Sequence, residues 1–131
     1  KYIFLNFVYS IMKNIIRMKG ADLKFADEIR LKLIECATKT QFICYSDLVP
    51  NVLSDNRHMN RLCKILDHIS ETEWKARKLL LSSIVVQKGT TIPGIGYFDL
   101  CAKLQVSTDY KEMQDKCFDF WRDEENRANF A

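Results

Sequence analysis

Residues 41–104 read QFICYSDLVPNVLSDNRHMNRLCKILDHISETEWKARKLLLSSIVVQKGTTIPGIGYFDLCAKL. Phe42, Ile43, Cys44 and Tyr45 form a short β-prone run bounded by polar residues, which predicts a strand. Ser46 is placed to cap a following helix with Asp47 in its first turn, and Pro50 falls where an early helical turn tolerates it. This helix is short and ends near Leu53. Ser54 then caps a third helix in which Met59, Leu62, Cys63, Leu66 and Ile69 recur at spacings of three and four, predicting a continuous buried face. The run 79–86 (LLLSSIVV) is apolar throughout, which predicts a buried strand; periodicity alone also admits a buried helical segment. Residues 87–96 hold Gly89, Pro93, Gly94 and Gly96, three of the four glycines and one of the two prolines, and so mark a specific turn.

Strand, two short helices, apolar strand and Gly/Pro wing is the element order of a winged helix-turn-helix, a fold that commonly meets DNA. Outward from it, residues 22–38 read as a helix with Ala26, Ile29, Leu33 and Cys36/Ala37 buried and Lys24, Asp27, Glu28, Lys32 and Glu35 in water. Residues 97–104 favour helix through Phe98, Cys101, Ala102 and Leu104. Residues 108–125 read as a final amphipathic helix with Tyr110, Met113, Cys117, Phe120 and Trp121 on one face. The expected fold is α+β and mostly helical: a winged-helix-like core, residues 19–131, between an N-terminal and a C-terminal helix.

Residues 1–18 form a separate apolar helix or extension. Phe4, Phe7, Val8, Ile11, Ile15 and Met18 follow helical spacing, while Asn6, Ser10, Lys13 and Asn14 interrupt any run long enough to span a bilayer. A membrane is therefore an unfavoured partner; packing on the body or a homodimer contact fits this segment better. Met18 also reads as a natural start, which would make residues 1–17 an extension.

Composition narrows the function classes. Lys1, Lys13 and Arg17 account for the whole formal charge of +3, and the rest of the chain carries 17 residues of each sign. Nucleic-acid binding would thus rest on local patches. Five widely spaced cysteines without a CxxC pair read as free thiols in a reducing cytoplasm and offer no zinc ligand set. Two histidines leave no triad or metal site, and neither is placed to activate Ser82 or Ser83. No catalytic residue, metal or cofactor is expected. The Thr90–Gly96 turn lacks the spacing of a phosphate-binding loop.

The contact candidates are Arg57, His58, Asn60, Arg61 and Lys64 on the third helix, Tyr45 at the start of the second, and Lys88 on the wing. Basic residues near a helix start run against the dipole, which suits a nearby anion; a solvated helix face is the equal alternative. Asp109, Glu112, Asp115, Asp119, Asp123, Glu124 and Glu125 place the last helix away from a DNA backbone.

Three segments resemble the DNA-binding domain of the alkylguanine alkyltransferase and alkyltransferase-like family. Tyr45-Ser46-Asp47-Leu48-Val49 is similar to its Tyr-Gly-x-[Ile/Leu]-Ala opening. Asn56-Arg57-His58-Met59-Asn60 is similar to its Ala-Arg-x-Val-Gly segment, and Leu81-Ser82-Ser83-Ile84-Val85-Val86 falls at its Pro-Cys-His-Arg-Val-Val. Ser82 stands at the reactive cysteine and Ser83 at the histidine, so alkyl transfer, which needs an activated thiolate, is lost. The resemblance implies binding of double-stranded DNA without chemistry, with Tyr45 and Arg57 holding a rotated nucleotide. The segment 82–100 (SSIVVQKGTTIPGIGYFDL) is also similar to small bacterial proteins of unassigned function with a Val-Val…Pro-Gly-x-Gly-[Phe/Tyr]-Phe pattern. The competing expectation is a protein-interaction or dimerisation module on the same fold.

Overall fold

A computed structural model describes residues 20–48 and 56–131, with the side chains of residues 20–22 and 56–58 left aside. The expectations for the apolar N-terminal segment, Pro50 and the Ser54 cap lie outside the described residues.

Helix α1 (Gly20–Thr38) buries Ala26, Ile29, Leu33, Ile34, Cys36 and Ala37, while Lys24, Asp27, Glu28, Lys32 and Glu35 are exposed, as the spacing predicts. It ends in a left-handed turn at Thr40, where Gln41 N–H reaches back to Cys36 O at 2.8 Å. Strand β1 (Ile43–Cys44) follows, and α2 (Tyr45–Leu48) begins directly at Tyr45.

Helix α3 (Asn56–Arg77) runs a further two turns beyond Ile69, because 70–77 (SETEWKAR) are compatible with helix and contain neither Gly nor Pro. It ends where Lys78 turns left-handed. Leu62, Leu66 and Ile69 are buried as predicted and Cys63 is half-buried. Met59 is instead exposed, since the helix start projects past the core.

The apolar run is not one long strand. Leu81–Ile84 form a 3₁₀ turn, and only Val85–Val86 are strand (β2). Ser82 and Ser83 explain the turn. Ser70 hydroxyl donates to Ser82 Oγ at 2.6 Å and accepts from Ser82 N–H at 3.1 Å, and Ser83 O accepts from Gln114 Nε2 at 2.9 Å. Side chains thus satisfy polar groups that a strand ladder would have paired. Strand β2 pairs parallel with β1, Ile43 opposite Val85 and Cys44 opposite Val86.

An antiparallel bridge between Val86 and Pro93 then closes a hairpin. Gln87 N–H bonds Ile92 O at 2.9 Å, and Gly89 takes the positive φ of 77° that the turn requires. Helix α4 (Ile95–Leu104) follows, then α5 (Tyr110–Arg122) and α6 (Glu124–Phe130). The last two were expected as one helix; Asp123 breaks it and caps α6 by accepting from Glu125 N–H at 2.9 Å. Helix α5 buries Met113, Cys117 and Trp121 as predicted, and also Gln114 and Phe118.

One core joins these elements: Leu33 and Ala37 of α1, Leu62 and Ile65 of α3, Leu80, Leu81, Ile84 and Val85, Leu100 and Cys101 of α4, and Cys117 and Trp121 of α5. Two acids are buried on its margin. Glu73 accepts from Arg30 Nε at 2.7 Å and from Arg77 Nη1, and both guanidinium groups stack on Trp121. Glu71 accepts from Lys103 Nζ at 2.7 Å. The fold is thus α+β and mostly helical, and no described helix is long and apolar enough to cross a membrane.

Candidate pocket between the long helix and the Gly/Pro hairpin

Tyr45 opens α2 immediately after β1, so the parallel β1–β2 pair carries its ring toward the chain that leaves β2. There its Oη accepts from Gly94 N–H at 2.8 Å. Burial pushes its phenol up, the Gly94 bond offsetting part of that. Gly94 is required by proximity: a Cβ at this position would sit 2.7 Å from Tyr45 Oη. Its φ of −73° is ordinary, so contact with Tyr45, not backbone freedom, demands the glycine.

This contact closes one end of a pocket of about 200 Å³. Met59, Cys63, Leu66 and Asp67 of α3 form one wall, Tyr45 and Ser82 another, and Gly94 to Tyr97 the third. The α3 residues are one helical face, spaced by three and four. Ile95 stands at the rim with 80% of its surface exposed, and Met59 and Ile92 are also exposed.

Among the described residues Asp67 is the one acid in this lining. It makes no hydrogen bond or ion pair with any described residue, and nearby Lys103 is engaged by Glu71. Burial, reinforced by the Glu71 charge, pushes its carboxyl up to about 6. Burial also raises the Cys63 thiol and the Tyr97 phenol, which keeps both protonated at neutral pH. Neither is a nucleophile in this setting.

The sequence candidates divide. Tyr45 lines the pocket; Asn60 and Lys64 are exposed on α3 beside it, and Lys88 is exposed on the hairpin. Arg61 is half-buried with its guanidinium 5.7 Å from the Phe25 ring of α1, so it serves packing between helices as well as surface charge. Arg57 and His58 belong to the first turn of α3, and their side chains lie outside the described residues. Ser82, opposite the reactive-cysteine position of the resembled family, lines the same pocket as Tyr45. Sequence reasoning missed Asp67, whose only signal was an acid falling on the apolar face of an amphipathic helix.

The five cysteines are free, and no group of three potential metal ligands converges among the described residues. Comparison of the chain with protein families, with curated proteins and with solved structures found no match.

Proposed function

We propose that the chain is a non-catalytic DNA-binding module on a winged-helix-like core, with α3 and the Gly/Pro hairpin as its contact surface. The observation that carries this reading is the Tyr45–Gly94 hydrogen bond. It ties the hairpin to the start of α2, and Asn60 and Lys64 of α3 and Lys88 of the hairpin are exposed. The first turn of α3 carries no acid to oppose a phosphate. Tyr45 and Ser82 lining one pocket is compatible with the resemblance, in which this cavity receives a rotated nucleotide. Helices α5 and α6, which carry the acid-rich C-terminal surface, contribute nothing to the lining.

The affinity follows from few cations on a body of balanced charge. It is modest and steeply salt-dependent, each phosphate contact adding about 0.9 to the logarithmic slope. The test is a duplex titration by fluorescence anisotropy at about 50 mM and about 200 mM salt. Lys64→Ala and Lys88→Ala should each weaken binding and lower the slope by about one. Salt-independent binding, or none, overturns the reading. Arg61→Ala is a poor discriminator, because it also removes the stack on Phe25.

A second reading, a protein-interaction surface, is favoured by one observation: Ile95 and Met59, which line the same pocket, are both exposed. It calls for partner binding that survives high salt and fails in Ile95→Glu.

A further inference from the structure

An unpaired carboxylate inside an apolar pocket is an unusual feature. The buried acids among the other described residues are matched: Glu73 by Arg30 and Arg77, Glu71 by Lys103. Asp67 alone among the partly buried acids of α3 faces a cavity without such a partner. The walls around it are Leu66, Met59 and the rings of Tyr45 and Tyr97, which present hydrocarbon and aromatic surface. Leaving a carboxylate in such surroundings costs free energy that an incoming cation would recover, and aromatic rings beside it add attraction for positive charge. A negatively charged group placed beside Asp67 would be repelled, and no basic residue is among the described residues of the lining.

We propose that this pocket binds a small organic cation, one ammonium or amidinium group on an apolar body, with Asp67 as the ion-pairing residue and Tyr45 and Tyr97 as its walls. The volume of about 200 Å³ restricts the ligand to roughly a single ring with its charged substituent. The apolar body lies against Leu66 and Met59 and projects toward Ile95 at the rim. This site goes beyond the DNA reading and does not depend on it.

Acid weakens the complex by protonating Asp67. The charged and titratable groups facing that carboxyl are Cys63 and Glu71 on α3, Tyr45 on α2, and Asp99 and Lys103 on α4. Burial raises the Cys63 thiol and the Tyr45 phenol from values already above neutrality. Between pH 7.5 and 5, therefore, the charge change within the lining falls on Asp67; His68, next to it on α3, titrates in an overlapping window but does not line the pocket.

The experiment titrates the full chain with benzamidine and with its neutral analogue benzamide, followed by amide chemical shifts in ¹H–¹⁵N spectra. Benzamidine should saturate, moving the amides of residues 63–67 and 94–97. Benzamide should bind at least about tenfold more weakly, as should benzamidine at pH 5. Asp67→Asn should lose the preference for the cation while remaining folded, since an amide of the same shape replaces a strained carboxylate. Ile95→Lys, a change at an exposed rim position with no packing role, should weaken benzamidine independently. Equal binding of the two probes, an unchanged preference in Asp67→Asn, or shifts confined to other residues would each overturn the site. These readouts involve no DNA, so their failure leaves the duplex titration unaffected, and the reverse holds too.

Discussion

Tyr45 and Gly94 hold each other in place: the phenol oxygen accepts the Gly94 amide at 2.8 Å, and the absence of a side chain at Gly94 is what lets the ring approach. Gly94→Ala places a methyl group 2.7 Å from that oxygen and about 3.1 Å from the ring carbon bearing it. The expected cost is about 1–3 kcal/mol, as for other overpacked sites. In a Tyr45→Ala background the same substitution should cost much less. A double-mutant cycle by urea denaturation measures the coupling, and additive losses would show that the contact is not the reason for the glycine.

Glu73 is buried between two guanidinium groups, Arg30 and Arg77, which also stack on Trp121, with Arg77 near Phe120 and Phe130 as well. Arg30 Nη2 further donates to Phe130 O at 2.6 Å, fastening α6 to α1. Glu73→Ala should therefore destabilise by about 3–5 kcal/mol, because it leaves cations without their acid. Amide exchange should report loss of protection in α6 before the core opens. Loss confined to α3 would contradict this linkage.

Asp67 sets a pH dependence of opposite sign to the usual carboxylate. Its folded-state value of about 6 lies above the ordinary 3.8, so the stabilisation is present below 3.8 and is lost as pH rises through 6. The shift bounds the effect at about 3 kcal/mol, and residual solvent exposure reduces it to about 1–2 kcal/mol. His68 acts the other way in an overlapping window, since burial lowers its value and stability is lost as pH falls through it. The difference between wild type and Asp67→Asn isolates the carboxylate: the mutant should gain stability relative to wild type from pH 4 to 7. A constant difference across that range would contradict the assignment.

Gln105 closes α4 with a left-handed φ of 57°, the conformation that side chains resist. Its own side chain is exposed. Gln105→Gly should raise stability by about 1 kcal/mol, read from the thermal midpoint. A decrease would mean that the added freedom of glycine in the unfolded chain, or lost contacts of the glutamine, outweighs the relief of left-handed strain.

Much of the architecture was legible in the sequence because helical spacing is a strong signal. The buried faces of α1 and α5 fell where Leu33 and Cys117 placed them, and α3 did so apart from Met59. The apolar run at 79–86 was ambiguous because burial on all sides erases periodicity, and the 3₁₀ turn depends on Ser70 and Gln114, partners distant in sequence. The break at Asp123 was hidden because an aspartate among other acids reads as helix surface until its backbone partners are known. The pocket was only half visible. Tyr45 stood out through resemblance, but Asp67 acquires meaning only once α3 turns it toward Gly94 and Tyr97.

The most direct measurement of the DNA reading is an amide chemical-shift map of the protein with a short mixed-sequence duplex at low salt. The account predicts perturbations concentrated at residues 59–64 of α3 and 87–96 of the hairpin, diminishing as salt is added. Perturbations centred on α5 and α6, or none at saturating duplex, would contradict it.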